Sequence, residues 1–123
     1  MPNSATTDRT WPEELRLSQD KAVLTVSYGA GESFALPAEY LRVESPSAEV
    51  QGHAADQKQI VGGKHAVKIK GLEPVGNYAV RILFDDGHDS GLFSWDYLRE
   101  LGRDREKKWA AYLKALRAKK LER

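Results

Sequence analysis

His88 is the residue in this chain best placed to do chemistry, because Asp85, Asp86 and Asp89 flank it in the stretch FDDGHDSGLFSWDYL, Phe84–Leu98. An imidazole can ligate a metal or move a proton near neutral pH. Neighbouring carboxylates can orient it or complete a metal shell. The same residues also suit a tight turn, in which Gly87 takes positive φ and His88 bonds nearby carboxylates or backbone. The turn is the simpler reading, because a metal site needs several converging ligands. The other histidines are His53, followed by Asp56 in GHAAD, and His65 ahead of a strand. Nothing in their spacing requires the three to meet.

Other chemistries are poorly supplied. Asp89 is adjacent to His88, whereas the non-haem iron triad needs a His-x-Asp/Glu pair and a distant histidine. Gly62-Gly63-Lys64 has Lys58 where a phosphate loop needs its first glycine, and His65 where it needs Ser or Thr, so a β-turn is expected. There is no cysteine, hence no disulfide, thiolate nucleophile or cysteine metal site. Ser45, Ser47, Ser90 and Ser94 sit in cap or turn contexts, away from any nucleophile elbow. The aromatic residues Tyr40, Phe84, Phe93, Trp95 and Tyr97 are expected mainly in the core.

The 123 residues suit one domain with one modest core. With 41% hydrophobic and 30% charged residues, the composition is that of a globular protein. A net charge of +1 argues against a strongly electrostatic partner such as nucleic acid. No apolar run approaches the roughly 18 residues of a membrane span. The first ten residues lack a signal-peptide pattern and are expected to be a flexible tail. A cytoplasmic location is the simplest expectation.

The elements that must position His88 are strands and short helices. Alternation predicts two strands around Leu15–Leu17 and Val23–Tyr28, joined by a turn at Ser18–Asp20, then a third over Ser33–Leu36. Pro37 can open a short helix, PAEYLRV. Turn formers dominate from Glu44 onward, and Val67, Ile69 and Leu72 mark a half-buried strand. The strongest strand, NYAVRILF, places Tyr78, Val80, Ile82 and Phe84 on one face. GLFS returns from the hairpin, Ser94 caps a helix from Trp95, and Gly102 is expected to stop it. A last amphipathic helix has Trp109, Tyr112, Leu113 and Leu116 at core spacing. Two segments echo each other: LTVSYGAGESFALPAEYLR and VRILFDDGHDSGLFSWDYLR. Gly31 matches Gly87, and Tyr40-Leu41-Arg42 matches Tyr97-Leu98-Arg99. The fold class expected is α+β, an antiparallel sheet built from two similar β-β-α units with short helices and a C-terminal helix. One domain is expected over 11–118, with a basic end at 119–123.

The phrases LPAEYLRVESPSAEVQGH, GGKHAVKI and EPVGNYAVRILFDDGHDSGLFSWDYL resemble the DUF971 family, also described as the γ-butyrobetaine hydroxylase-like N-terminal domain. The likeness runs from about Trp11 to Leu116. The resemblance implies a non-catalytic domain that precedes the oxygenase domain in γ-butyrobetaine and trimethyllysine hydroxylases and accompanies iron–sulfur scaffold ATPases. In the hydroxylases it implies a zinc module with three cysteines and a histidine. Carried across, the cysteine positions fall on Ser45, Ser47 and Val50 and the histidine on His88. Three of those four residues are not zinc ligands.

The leading expectation is a non-catalytic accessory or protein-interaction domain, linked through the family's company to iron–sulfur or metalloenzyme assembly. Trp95, Tyr97, Asp86 and Asp89 are its candidate interaction surface. No cofactor is expected. The alternative is a metal-binding companion of an Fe(II)/2-oxoglutarate oxygenase, holding zinc or iron at a residual site near His88. A third reading has the basic last helix gripping RNA or an acidic protein.

Overall fold

The computed structural model describes residues 11–52 and 58–123. The expected N-terminal tail, His53 and Asp56 lie outside the described residues. The chain builds β1 (Glu14–Leu17), β2 (Val23–Gly29), β3 (Glu32–Pro37), α1 (Ala38–Val43), α2 (Ala48–Gln51), β4 (Ile69–Val75), β5 (Ala79–Phe84), β6 (Leu92–Ser94), α3 (Trp95–Arg103) and α4 (Arg105–Ala118). The α+β class is as expected. The strands divide into two antiparallel three-stranded sheets, β1-β2-β3 and β4-β5-β6. Each sheet runs directly into a helix, so the repeated unit is β-β-β-α, one strand longer than the sequence echo.

The two units share one core. Leu24, Val26 and Leu36 from the first sheet meet Ile69, Val80, Ile82 and Phe84 from the second, with Tyr40, Leu41, Leu98 and Leu101 from α1 and α3. This mutual burial explains why neither sheet needs a second covered face. The central strand of the first sheet shows plain alternation: in β2, Leu24 and Val26 are fully buried while Thr25 and Ser27 are half-buried.

The matched residues are reciprocal in space. Tyr40 of α1 donates its hydroxyl to the Leu101 carbonyl of α3 at 2.7 Å, and Tyr97 of α3 donates to the Glu44 carbonyl just past α1. Arg99 of α3 grips Glu32, beside the first hairpin turn, and Arg42 of α1 grips Asp86 in the second. Each helix therefore fastens the other unit's hairpin. The turns match as well, with Gly31 at φ 81° and Gly87 at φ 93°.

Two expectations are corrected. Tyr78 is not on the buried face of β5; it lies in the turn before Ala79 and is 56% exposed. Gly102 does not stop α3, which runs to Arg103 with Asp104 as its C-cap. Gly102 is instead a close-packing position: a Cβ there would sit well inside contact distance of the Phe34 ring. The expectation at Ser94 holds, since its side chain accepts from the Tyr97 amide at 3.1 Å. Gly76, at φ 55°, makes the turn between β4 and β5. The end of the chain folds back: Arg123 forks onto the buried Glu39 at 2.9 and 2.7 Å and lies over Trp109.

Candidate functional site: a closed polar corner at His88

The β5–β6 hairpin turn meets the segment after α1. Val43 and Glu44 end α1, Pro46 prevents its continuation, and Ser47 caps the four-residue α2 by accepting from the Glu49 amide at 3.1 Å. The chain is thereby folded so that Ser45, Ser47 and Glu49 all face the hairpin. α2 was hidden in the sequence among turn formers because it is a single capped turn.

His88 is the centre. Its Nε2 lies 2.9 Å from Ser45 Oγ, and its Nδ1 lies 3.2 Å from Glu49 Oε1. A carboxylate only accepts, so Nδ1 carries the proton and Nε2 accepts from the Ser45 hydroxyl. Ser90 Oγ donates to Glu49 Oε1 at 2.7 Å and meets Ser47 Oγ at 2.8 Å. The His88 side chain is only 5% exposed. Burial, then the nearby Arg42 guanidinium, pushes its pKa below the ordinary 6.5, partly opposed by Glu49, Asp86 and Asp89. The bond from Ser90 holds the Glu49 carboxyl below its usual range.

Asp86 closes the turn from the other side. Its Oδ1 accepts from the His88 amide at 3.0 Å. Its Oδ2 takes Arg42 Nε at 2.8 Å and Lys64 Nζ at 2.6 Å. Burial alone would raise this carboxyl, but Lys64, the His88 amide and Arg42 hold it at about 2. Lys64, which the sequence suggested only as part of a turn, does sit in one, with the Val67 amide donating to its carbonyl at 3.0 Å.

The order Ser45–His88–Glu49 is that of a nucleophile, base and orienting carboxylate. The hydroxyl, however, has no approach: Ser45 is 0% exposed and packs against Gly91, where a Cβ would collide with its Oγ. Arg42, Glu49, Val50, Asp86 and His88 line an open cleft of about 400 Å³, and Ser45 is not part of its wall. The corner joins two segments of the chain, with Ser45 Oγ enclosed against His88. Among the described residues no group of three or more His, Cys, Asp or Glu could hold a metal ion.

The candidate residues are distributed as follows. Ser45, Ser47 and Val50 do gather at the His88 hairpin. Glu49, Arg42 and Lys64 complete the corner; the sequence marked Lys64 only as part of a turn and Arg42 only as part of the repeat, and the signal for Glu49 was SPSAE, whose Ser47 cap orients it. Asp86 is tied up by two cations, while Asp89 is exposed at the turn. Trp95 and Tyr97 sit at the opposite end of the hairpin, where Ser94 pairs with Ala79. Tyr97 is spent internally on Glu44 and stacks near Phe93. His65 is exposed, with Nδ1 3.2 Å from the Arg123 carbonyl.

At that opposite end the surface is aromatic. Trp11, Tyr78, Ser94, Trp95 and Asp96 line a cleft of about 320 Å³. Trp11 is 48% exposed and Tyr78 56%. Trp95 is fixed by its indole N–H, which donates to the Asn77 carbonyl at 2.9 Å.

Two linked β-β-β-α units with a polar corner at the second hairpin are the frame of a small α+β domain with known relatives. The family model for the γ-butyrobetaine hydroxylase-like N-terminal domain matches residues 15–99, and the chain belongs to that family. One similar protein, known from an NMR solution structure, is 48% identical with a TM-score of 0.78, over 91% of this chain and 88% of its own. A second NMR structure is 43% identical with a TM-score of 0.80, over 100% of this chain and 89% of its own. A crystal structure from Acidithiobacillus ferrooxidans, a DUF971-family protein of unknown function, is 41% identical with a TM-score of 0.63, over 76% of this chain and 93% of its own. No protein of curated function matches the chain. No helix among the described residues is long and apolar enough to cross a membrane.

Proposed function

We propose that the protein is a non-catalytic accessory domain that acts by binding another protein through the aromatic end of the β5–β6 hairpin. The observation that carries this reading is the convergence of Trp11, Tyr78 and Trp95 on one cleft, two of them about half exposed. Large, rigid aromatic side chains supply most of the energy of protein interfaces. Trp95 is pre-ordered by its bond to Asn77, which lowers the cost of binding. The company kept by the family suggests partners among iron–sulfur or metalloenzyme assembly proteins of the cytoplasm. A photo-crosslinking amino acid at Tyr78 should then capture one discrete partner in cells. Trp11→Ala should abolish that capture without lowering the melting temperature. Capture that survives Trp11→Ala, or that spreads over many proteins, would refute the proposal.

The corner geometry favours a second reading, a metal-binding companion of an oxygenase whose site in this chain is closed by hydrogen bonds. Ser45 Oγ already lies 2.9 Å from His88 Nε2, and Val50 shares a cleft with His88. Ser45→Cys, Ser47→Cys and Val50→Cys together should create a Cys₃His zinc site and raise thermal stability with zinc. That gain should vanish on adding His88→Ala.

A further inference from the structure

The charge of this chain is sharply divided. Residues 103–123 hold nine Lys or Arg against three Asp or Glu, a balance of +6, and residues 1–102 hold ten against fifteen, a balance of −5. The small net charge therefore conceals a basic pole. Several cations there are engaged inward: Arg103 with Glu32, Lys108 with Glu100 and Arg123 with Glu39. Lys107, Lys114 and Arg117 are exposed and have no ion pair among the described residues.

Helical spacing places these three on one side. The buried Tyr112 and Leu116 define the inner face of α4. At about 100° per residue, Lys107 and Lys114 fall opposite Leu116, with Arg117 at one flank. The same face carries Ala110, Ala111 and Ala118, all exposed. Short side chains between the cations let another backbone come close. Leu121 is not part of this face: the chain reverses at Lys120, φ 57°, and the Leu121 amide donates to the carbonyl of the inward-facing Leu116 at 2.9 Å.

We infer that the outer face of α4 is a docking surface for an acidic helical segment of a partner protein, separate from the aromatic cleft. The occupant is chosen by charge and size. Lys107 and Lys114 are seven residues apart, two helical turns, and match glutamates at the same interval on an apposed helix. The exposed Ala111 and Ala118, on the same side as the two lysines, accept the partner's backbone. A nucleic acid fits less well, because its long run of phosphates would extend over the −5 remainder of the domain. The inference extends the protein-binding reading but uses different residues.

The test uses the full chain and a synthetic peptide helix with glutamates at seven-residue intervals, followed by fluorescence anisotropy. The peptide should bind, more weakly as salt rises. Its glutamine counterpart should bind at least about tenfold more weakly. Lys107→Glu with Lys114→Glu should abolish binding at unchanged melting temperature, and a lysine version of the peptide should restore it. Tyr78→Ala should leave this binding intact, which separates failure here from failure at the aromatic cleft. Binding unchanged by the double reversal, or a single-stranded RNA of equal charge binding as tightly, would overturn the inference.

Discussion

At the scale of residues, His88 is a group suited to metal or acid–base chemistry that lies buried between Ser45 and Glu49. Its neutral ring satisfies Ser45 on one side and Glu49 on the other, and protonation would take the acceptor away from Ser45. Folding depresses its pKa from 6.5, so the unfolded chain binds more protons just below that value. The stability that the neutral ring contributes is thus present above pH 6.5 and is lost as pH falls toward the folded pKa. Denaturant midpoints should drop between pH 7 and pH 5, and His88→Gln should flatten that slope; an equal slope in the variant would place the titration elsewhere. A second group, Asp86, held at about 2 against its usual 3.8, adds a loss only in strong acid. Gly102 makes a different point. Alanine there would improve helix propensity by about 1 kcal/mol, but its Cβ would strike the Phe34 ring. Gly102→Ala should therefore destabilise by about 1–2 kcal/mol net, readable in chemical denaturation. The sequence could show a glycine at the end of a helical pattern, but not the ring approaching it from a strand far away in the chain.

At the scale of elements, local chemistry was largely legible. Ser94 announced its cap, Gly87 its turn, and alternation in β2 and β5 marked the buried face. What local pattern could not reveal was tertiary: the split of six strands into two sheets, and the single turn α2 between Pro46 and Gly52. Tyr78 continued the alternation of β5 by one residue too many, because the turn at Gly76 begins the strand only at Ala79. Gly87→Val tests the hairpin directly. No neighbour lies within 4 Å of a Cβ at this position, so the penalty is purely one of backbone at φ 93°, about 1 kcal/mol or more. For α4, Trp109 packs edge-on to Tyr40 and beside Tyr112, half-buried. Trp109→Ala should cost about 2 kcal/mol, less than a fully buried tryptophan; a thermal melt unchanged by the substitution would show that α4 does not anchor the core.

At the scale of the molecule, the two β-β-β-α units hold each other by exchanged bonds, Tyr40 and Tyr97 to each other's helix ends, Arg42 and Arg99 to each other's hairpins. The echo of Tyr-Leu-Arg in the sequence showed that two units existed, and the resemblance placed Ser45, Ser47 and Val50 beside the second hairpin. Neither could show that Glu49, Arg42 and Lys64 complete the corner, because those contacts arise from packing one unit on the other. Under the proposed function, the corner is a joint closed by hydrogen bonds and the domain works through its surfaces. Metal analysis of the purified, unmodified protein tests this most directly. It should contain no stoichiometric zinc or iron, with a melting temperature indifferent to a chelator. Stoichiometric metal that disappears with His88→Ala, together with a large loss of stability on chelation, would contradict it.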